Sequence, residues 1–423
     1  MINSRSWDWD TGTRVIADVG RWKEEFQSVE EPCVSPDGER VAAVVKTDEM
    51  EFGVCENGQA WDSTYDKVWF LRFSPDSRLT AIVSDMGEWT LAVAGEPWTS
   101  RFDFVWDTQF CRDGSHVAVA VQKERSYLAA LDDNPWPDGY LFMTNLAISP
   151  DGGSTAAVVQ TVPFKEGDVF TYQKGCYSVA VNGEVWPRNF VNVWDMSFSS
   201  DGRHLAAEVR TTLYRHTIAV DGIPWNQEFD SVWKPVFSPD DRSVTAPVKA
   251  DGGWMLVRDG EPLWSRKFVQ LWHHMYGPNG DRVAAIVAPK FGRWTVAVDG
   301  TPWKLTFGDL VTDAVFSPDG RQVACVGKDK ERYYLALDGR SWDGSYDMLW
   351  RPVFSPDGSH VAVKAEQKGR YTIVVDGQPL KEEFQAVWDP VFSPDGQKIM
   401  VRAIDADGNR YCRHVMLVSD IAA

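Results

Sequence analysis

The sequence lacks the long apolar runs that a membrane-spanning helix requires. Its longest apolar stretches are short, such as VAAIVA at residues 283–288, whereas a spanning helix needs about 20 apolar residues. The N-terminal segment, MINSRSWDWD, has neither a basic start nor an apolar stretch, so we expect no secretory signal. These absences predict a cytoplasmic protein that does not insert directly into a membrane.

Basic residues are few relative to acidic ones, and closely spaced cysteine pairs are absent from the sequence. The chain has 43 Lys and Arg against 61 Asp and Glu, a net charge of −18, and nucleic-acid binding needs a basic surface that displaces counterions. The six cysteines are widely spaced and contain no CxxC motif, which argues against a zinc knuckle or an attached haem. We therefore expect no nucleic-acid partner, no cofactor and no metal.

Signatures of catalysis are missing as well. The sequence contains no GxSxG, no HExxH, no Walker loop and no GxGxxG that opens a helix. His273 and His274 are adjacent, but neighbouring residues on a strand point to opposite faces, so we interpret them as partner-binding candidates and not as a metal pair. We predict that the chain is not an enzyme, with an active site at a channel mouth as an alternative.

What the sequence does contain is a repeated turn phrase, typified by FSPDG and followed by an apolar run. The ten turns centre on Asp37, Asp76, Asp113, Asp151, Asp201, Asp240, Asn279, Asp319, Asp357 and Asp395. They are 37 to 40 residues apart, except for 50 residues between Asp151 and Asp201. A period near 40 with turn residues at fixed offsets is typical of propeller blades.

The two ends of the chain carry matching fragments of this repeat. Residues 23–38 read KEEFQSVEEPCVSPDG, and residues 381–396 read KEEFQAVWDPVFSPDG. The first fragment begins partway through a repeat and the chain stops partway through the last, so the ends together complete one blade. We predict an all-β fold: a single closed β-propeller domain over residues 1–423, with about ten four-stranded blades. Two five-bladed rings are the alternative.

Tryptophan, with 21 residues, recurs at two positions of the repeat. One position follows the Asp-Gly turn, where a large ring fills the gap between blades. The other opens the inner strand near the predicted channel, on the face that also carries the longer basic loops, and we interpret it as a partner-binding position. Its members are Trp69, Trp106, Trp194, Trp233, Trp272, Trp350 and Trp388.

The repeat with the longest spacing carries an insertion at residues 161–176, TVPFKEGDVFTYQKGC. Long ordered loops in compact folds are often functional, and loops held by a rigid scaffold frequently bind partners. We therefore add Phe164, Lys165, Phe170 and Tyr172 to the partner-binding candidates.

The SPDG turns between VxxPxF and xVAAV strands resemble the WD40-like, TolB-type propeller repeats. Chain size, propeller repeats and tryptophan content are also similar to the tryptophan-rich soluble subunit of the transmembrane redox complex of sulfate-reducing bacteria. That resemblance implies a cytoplasmic-side subunit that supports electron transfer without a cofactor of its own. Fold alone does not define function, so we predict a non-catalytic protein-interaction scaffold. The resemblance further predicts that it is a subunit of such a complex. A multivalent carbohydrate-binding propeller is the alternative.

Overall fold

The computed structural model describes residues 4–30 and 32–421, which form ten antiparallel sheets of a β-propeller. The sheets are numbered here as blades 1 to 10 in the order of their SPDG-type turns. In blades 1 to 9 the four strands follow one another in both chain and sheet order. The all-β, ten-bladed architecture predicted from the repeat is confirmed.

The first strand is split into two short pieces in four blades. The first strands of blades 1 to 10 are Ser28–Val29 with Cys33–Val34, Lys67–Phe73, Phe104–Phe110, Met143–Ile148, Asn192–Phe198, Ser231–Val232 with Val236–Phe237, Gln270–Tyr276, Leu310–Phe316, Met348–Leu349 with Val353–Phe354, and Ala386–Val387 with Val391–Phe392. In the split strands a proline (Pro32, Pro235, Pro352 or Pro390) separates the pieces, because proline has no N–H for the ladder.

The second and third strands are the regular centre of each blade. The second strands are Val41–Asp48, Leu79–Asp85, Val117–Lys123, Thr155–Gln160, Leu205–Thr212, Val244–Ala250, Val283–Lys290, Val323–Asp329, Val361–Gln367 and Lys398–Ile404. The third strands are Glu51–Glu56, Glu88–Val93, Ser126–Leu131, Tyr177–Val181, Arg215–Val220, Gly253–Arg258, Arg293–Val298, Arg332–Leu337, Arg370–Val375 and Arg410–Leu417. The second strands are buried over about five residues and are mostly apolar there, because neighbouring blades cover both of their faces.

The fourth strands are short except in blade 10. They are Gln59–Ala60, Glu96–Pro97, Asn134–Pro135, Glu184–Val185, Ile223–Pro224, Glu261–Pro262, Thr301–Pro302, Arg340–Ser341, Gln378–Pro379 and, for blade 10, Gly12–Asp18. Two short helices complete the structure: α1 (Val19–Glu25), which leads from Gly12–Asp18 into blade 1, and α2 (Val169–Gln173) within the blade 4 insertion. Single 3-10 turns cover Ser4–Ser6 and Val418–Asp420.

The chain ends share blade 10, as the matching terminal fragments predict. Gly12–Asp18 pairs antiparallel with Arg410–Leu417, with Gly12 opposite Val415 and Asp18 opposite Arg410. Polar side chains of blade 10 then bind backbone carbonyls in the first turn of blade 1. Arg402 donates to Ser35 (3.0 Å), Tyr411 donates to Gly38 (3.0 Å) and Arg413 donates to Asp37 (3.0 Å). Head and tail therefore interlock through one sheet and one buried hydrogen-bonded turn.

The aspartates of the SPDG turns hold the turns together. In blade 8, the Ser317 hydroxyl donates to the Asp319 carboxylate (2.5 Å), which also accepts the Arg321 backbone N–H (3.0 Å). Hydroxyl donation from Ser355 and Ser359 lowers the pKa of the corresponding Asp357 in blade 9 to about 2. The repeated aspartates are therefore structural.

The tryptophan that follows each Asp-Gly turn packs against the next blade. The ring of Trp186 in blade 4 covers Gly222 in blade 5, and Trp303 in blade 7 covers Gly339 in blade 8. A Cβ added at these glycines would lie 3.2 Å from Trp186 and 3.0 Å from Trp303. These glycines also have φ of 82° and 75°, so a side chain at either one would meet both a left-handed backbone and the tryptophan ring. Blade 3 has Asp133 at the equivalent position, with a φ of 67°.

Two compact units can be distinguished among the described residues. Unit 1 contains Met50–Gly53 and Asp62–Lys267, which includes blades 2 to 6. Unit 2 contains residues 4–30, 32–49, Val54–Trp61 and residues 268–421, which include blades 7 to 10 and most of blade 1. The sites described below each lie within one unit.

Candidate interaction surface

Each blade has two ends with different chemistry. The turn end carries the SPDG-type turn and the Asp-Gly or Asn-Gly turn, whereas the loop end carries the connection between the second and third strands and the crossover to the next blade. Loops supported by a rigid sheet commonly hold binding residues. The distribution of exposed apolar side chains between the two ends therefore indicates which one is suited to binding.

The first-strand tryptophans pair with an aromatic ring of the third strand in the same blade. Ring centroids are 4.5 Å apart for Trp69 and Trp89, and also for Trp272 and Trp294. Longer contacts, of 5.4 to 6.0 Å, complete the set: Trp233–Trp254, Trp194–His216, Trp350–Tyr371, Trp388–Tyr411 and Trp106–Tyr127. The seven predicted tryptophans thus lie at equivalent places, each braced by a neighbouring ring.

In unit 1 these pairs merge into one aromatic cluster across blades 2 and 3. Phe104 contacts Trp69 (6.1 Å), Trp89 (5.2 Å) and Trp106 (5.9 Å), measured between ring centroids. The Lys67 ammonium lies 5.4 Å from the Trp69 ring and 5.7 Å from the Trp89 ring. Aromatic contacts of this kind stabilise a fold by more than the burial of their surface alone. The cluster therefore supports the neighbouring side chains that reach solvent.

Large apolar side chains of unit 1 are exposed mainly on its loop side, which here includes the middle of the first strands as well as the loops. Phe70 is 60% exposed and Phe170 is 81% exposed. The other members on this side are Met50, Trp69, Met86, Phe104, Leu141, Phe142, Val169, Tyr214 and Trp233, whereas Val185 and Ile223 are the members at turn ends among the described residues of the unit. We name Trp69, Phe70, Phe104, Leu141, Phe142 and Phe170 the loop-side apolar surface. Large apolar side chains exposed at one side of a fold often mark interaction sites.

Phe70 is held in this surface by a strained backbone. Its φ is 51°, a left-handed value that is unusual for a bulky side chain. The first strand changes register between Trp69 and Arg72, which is a β-bulge that redirects the side chain. The same left-handed residue recurs in other blades, at Asp107, Asn145, His273 and Asp313, so the bulge belongs to the repeat. In blade 2 it places an aromatic ring in solvent.

The blade 4 insertion contributes a second part of the same surface. The Asp168 side chain accepts the backbone N–H of Thr171 (3.0 Å) and caps α2. Phe164 packs against Tyr172 (5.7 Å) and Tyr177 (6.3 Å), so these rings are half-buried, while Lys165 is exposed. Of the insertion residues proposed from sequence, Phe170 is the aromatic one that reaches solvent fully.

The remaining partner candidates are less accessible. Trp106, Trp194, Trp272, Trp350 and Trp388 are partly buried, in contrast to Trp69 and Trp233. His273 is exposed at a left-handed φ of 45°, whereas His274 is 6% exposed. The histidines therefore face different surroundings, and the structure does not bring them together as one site.

The turn ends contrast with this surface because their polar groups are already bonded. His116, His204 and His360 contact Asp132, Asp221 and Asp376 at 2.6, 2.7 and 2.7 Å. In most blades the same turn residue accepts the first N–H of the second strand, as Asp338 does from Val323 (2.9 Å). These carboxylates form ion pairs and hydrogen bonds within the turns. The turn ends are therefore acidic, but many of their carboxylates are already bonded inside the fold.

Sequence reasoning missed three ionisable side chains at one position of the repeat. That position is the fourth residue of the second strand in blades 1 to 9 and the fifth in blade 10, and it is apolar in most blades, as in Val44, Ile82 and Ile286. It is Glu208 in blade 5, the partly buried Lys364 in blade 9 and Arg402 in blade 10. Glu208 is 7% exposed and Arg402 is 8% exposed. Burial raises the pKa of Glu208 to about 8, and nearby Asp195 adds to the effect. An ionisable residue within an otherwise apolar strand was the available signal.

The described residues contain no group of three or more His, Cys, Asp or Glu side chains that could hold a metal. The thiols are also poorly suited to nucleophilic chemistry. Burial raises the pKa of Cys33 to about 12 and of Cys55 to about 11, and the thiolate is the reactive form. Within residues 4–30 and 32–421, no helix is long and apolar enough to cross a bilayer.

Comparisons with known proteins give structural neighbours but no family assignment. No family model and no curated protein matches the chain. A crystal structure of a eukaryotic initiation factor aligns with a TM-score of 0.48 at 13% identity, covering 77% of this chain and 90% of that chain. TolB from Acinetobacter baumannii aligns with a TM-score of 0.30 at 18% identity, covering 51% of this chain and 58% of its own. Membership of the redox-complex family stays a prediction, and what is shown is a ten-bladed propeller with a TolB structure among its neighbours.

Proposed function

We propose that this chain is a non-catalytic scaffold that binds another protein through the loop-side apolar surface of blades 2 to 4. The observation that carries the proposal is the exposure of Trp69, Phe70, Phe104 and Phe142 on this surface. Exposed aromatic anchors over a packed base have the composition of protein-interface hot spots. A propeller fold is compatible with this role.

The surroundings of the surface indicate the chemistry of the partner. Lys67, Arg125 and Lys165 lie among Asp103, Glu124 and other acidic residues at the loop ends of blades 2 to 4, so the rim carries both signs of charge. A partner with an apolar centre and a mixed-charge rim would match it. A strongly basic partner would instead favour the acidic turn ends.

A narrower version of the proposal places the scaffold in a membrane-bound electron-transfer complex on its cytoplasmic side. The support is the resemblance in repeat and tryptophan content to the soluble subunit of the transmembrane redox complex. In that setting the chain would bind other subunits and contribute no cofactor of its own. Haem or iron–sulfur proteins that co-purify with the tagged chain would support this version, and their absence in mild detergent would contradict it.

The Phe70→Asn and Phe142→Ser variants test the scaffold proposal. We expect each to lower the affinity for the native partner by about tenfold or more, since truncated hot-spot residues typically cost more than 1 kcal/mol. The melting temperature should stay the same or rise in Phe70→Asn, because asparagine tolerates the left-handed backbone better than phenylalanine. The measurement is quantitative co-purification from the source cell, followed by titration with the identified partner.

Ile223→Asn is the matched control, because Ile223 is 74% exposed but lies at the turn end of blade 5. The same partner should bind this variant with unchanged affinity. Equal binding by all three variants, or loss of binding in Ile223→Asn alone, would contradict the proposal.

A further inference from the structure

Unit 2 contains a cavity that is separate from the loop-side apolar surface. Its volume is about 470 Å³, within the range of cavities that hold small organic ligands. Its walls come from blades 9, 10 and 1 and from helix α1, and they include the rings of Trp22, Tyr371 and Trp388. Aliphatic residues complete most of the lining, and its charged and amide side chains are Lys23, Glu30, Lys364 and Gln385.

Lys364 is the polar group that sets the chemistry of this cavity. It lies in the second strand of blade 9 between the fully buried Val363 and Ala365, at the position that holds Val326 in blade 8. Its ammonium is 4.3 Å from the centroid of the Trp350 ring and 5.0 Å from that of the Tyr371 ring. These cation–π contacts orient the ammonium and stabilise it in part, but they supply no bonded counter-charge.

No described residue forms a hydrogen bond or ion pair with the Lys364 side chain. Burial lowers the pKa of Lys364, and this effect is larger than that of the Asp389 and Glu366 charges, which raise it. A partly buried ammonium without a bonded counter-charge is costly. Replacing it by an apolar residue, as at the equivalent positions of most blades, would remove that cost, so its presence needs another explanation.

We infer that this cavity binds a small aromatic carboxylate, with the carboxylate on the Lys364 ammonium and the ring against Trp22 and Trp388. The anion would supply the missing partner through a charge-assisted hydrogen bond. The apolar walls would accept the aromatic body, and Gln385 offers an amide to a second polar group of the ligand. This inference is independent of the protein-binding proposal, because the two sites lie in different units.

The test uses three naphthalene probes of similar size and different charge: 2-naphthoate, neutral 2-naphthalenemethanol and cationic 2-naphthylmethylammonium. Isothermal titration calorimetry on the full chain should show saturable binding of 2-naphthoate, and binding of the other two at least about tenfold weaker. In Lys364→Met the affinity for 2-naphthoate should fall about ten- to a hundredfold, whereas Lys364→Arg should retain most of it.

Lys368→Met is the matched control, since Lys368 is an exposed lysine of the same blade, and it should bind 2-naphthoate like the parent chain. The melting temperature of each variant, measured without probe, reports folding; Lys364→Met should melt at the same temperature or higher. The inference is overturned if the parent chain binds no 2-naphthoate at millimolar concentration. Equal binding of the neutral probe, or unchanged affinity in a folded Lys364→Met, would overturn it as well.

Discussion

Removal of residues 1–18 should lower the free energy of unfolding by more than about 5 kcal/mol, which exceeds the usual effect of a single substitution. The deletion takes away the strand Gly12–Asp18 and leaves the third strand of blade 10 as an unpaired edge. It also exposes side chains that are now buried, among them Tyr411 at 0% and Arg413 at 2% exposure. Urea and thermal unfolding measure the loss, and light scattering should show aggregation through the free edge.

Two point variants in Gly12–Asp18 test whether stability depends on how this strand packs in blade 10, as distinct from the effect of shortening the chain. Ala17 is 7% exposed, so Ala17→Asp buries a carboxylate in blade 10 and should cost several kcal/mol. Val15 is 53% exposed, so Val15→Asp should change the free energy of unfolding by less than about 1 kcal/mol. Similar stabilities for these two variants, or a truncated chain as stable as the parent, would show that the N-terminal strand does not close the last blade.

The second large effect is on the free energy of unfolding of the Glu208→Gln variant in alkaline solution. Glu208 is 7% exposed and makes no hydrogen bond with another described residue, and burial raises its pKa from 4.5 to about 8. The folded state therefore binds this proton more tightly than the unfolded state. The stability that the group contributes is complete below about pH 4.5 and is lost as the pH rises from about 4.5 to about 8.

Glutamine keeps the shape of the protonated acid but does not ionise, so the variant should lack this part of the pH dependence. Relative to the parent chain it should gain about 3–5 kcal/mol between pH 5 and pH 9. Urea unfolding at the two pH values measures the gain. Glu184→Gln, at an exposed position of blade 4, should show no such gain. A Glu208→Gln variant that follows the parent chain at both pH values would mean that Glu208 is ionised in the folded protein.

The repeat and the closure could be predicted because they depend on local chemistry. The SPDG turn needs a hydroxyl, a fixed φ and a carboxylate at set offsets, as Ser317, Pro318 and Asp319 provide. The terminal fragments at residues 23–38 and 381–396 repeat the same pattern, so their sharing of one blade followed from the sequence. The proline that splits four first strands was also visible as part of the repeat.

The properties of the candidate surface were only partly predictable, because they depend on neighbours that are distant in sequence. Trp69 and Trp106 occupy the same repeat position, yet Trp69 is 39% exposed and Trp106 is partly buried. Phe104, which comes from the next blade, contacts Trp69, and nothing near Trp69 in the sequence indicates this. The exposure of Phe70 and Phe170 likewise could not be predicted, because burial depends on which side chains surround a residue in the folded chain.

Photo-crosslinking from defined positions tests the central claim, that the protein binds its partner through the loop side of blades 2 to 4. A photoreactive phenylalanine analogue would replace Phe70 or Phe142 on the loop side, and Val185 or Ile223 at the turn end, one position at a time in the source cell. We expect a crosslink to one and the same partner from Phe70 and Phe142, and none from Val185 or Ile223. Crosslinks from the turn-end positions alone, or from none of the four, would contradict the account.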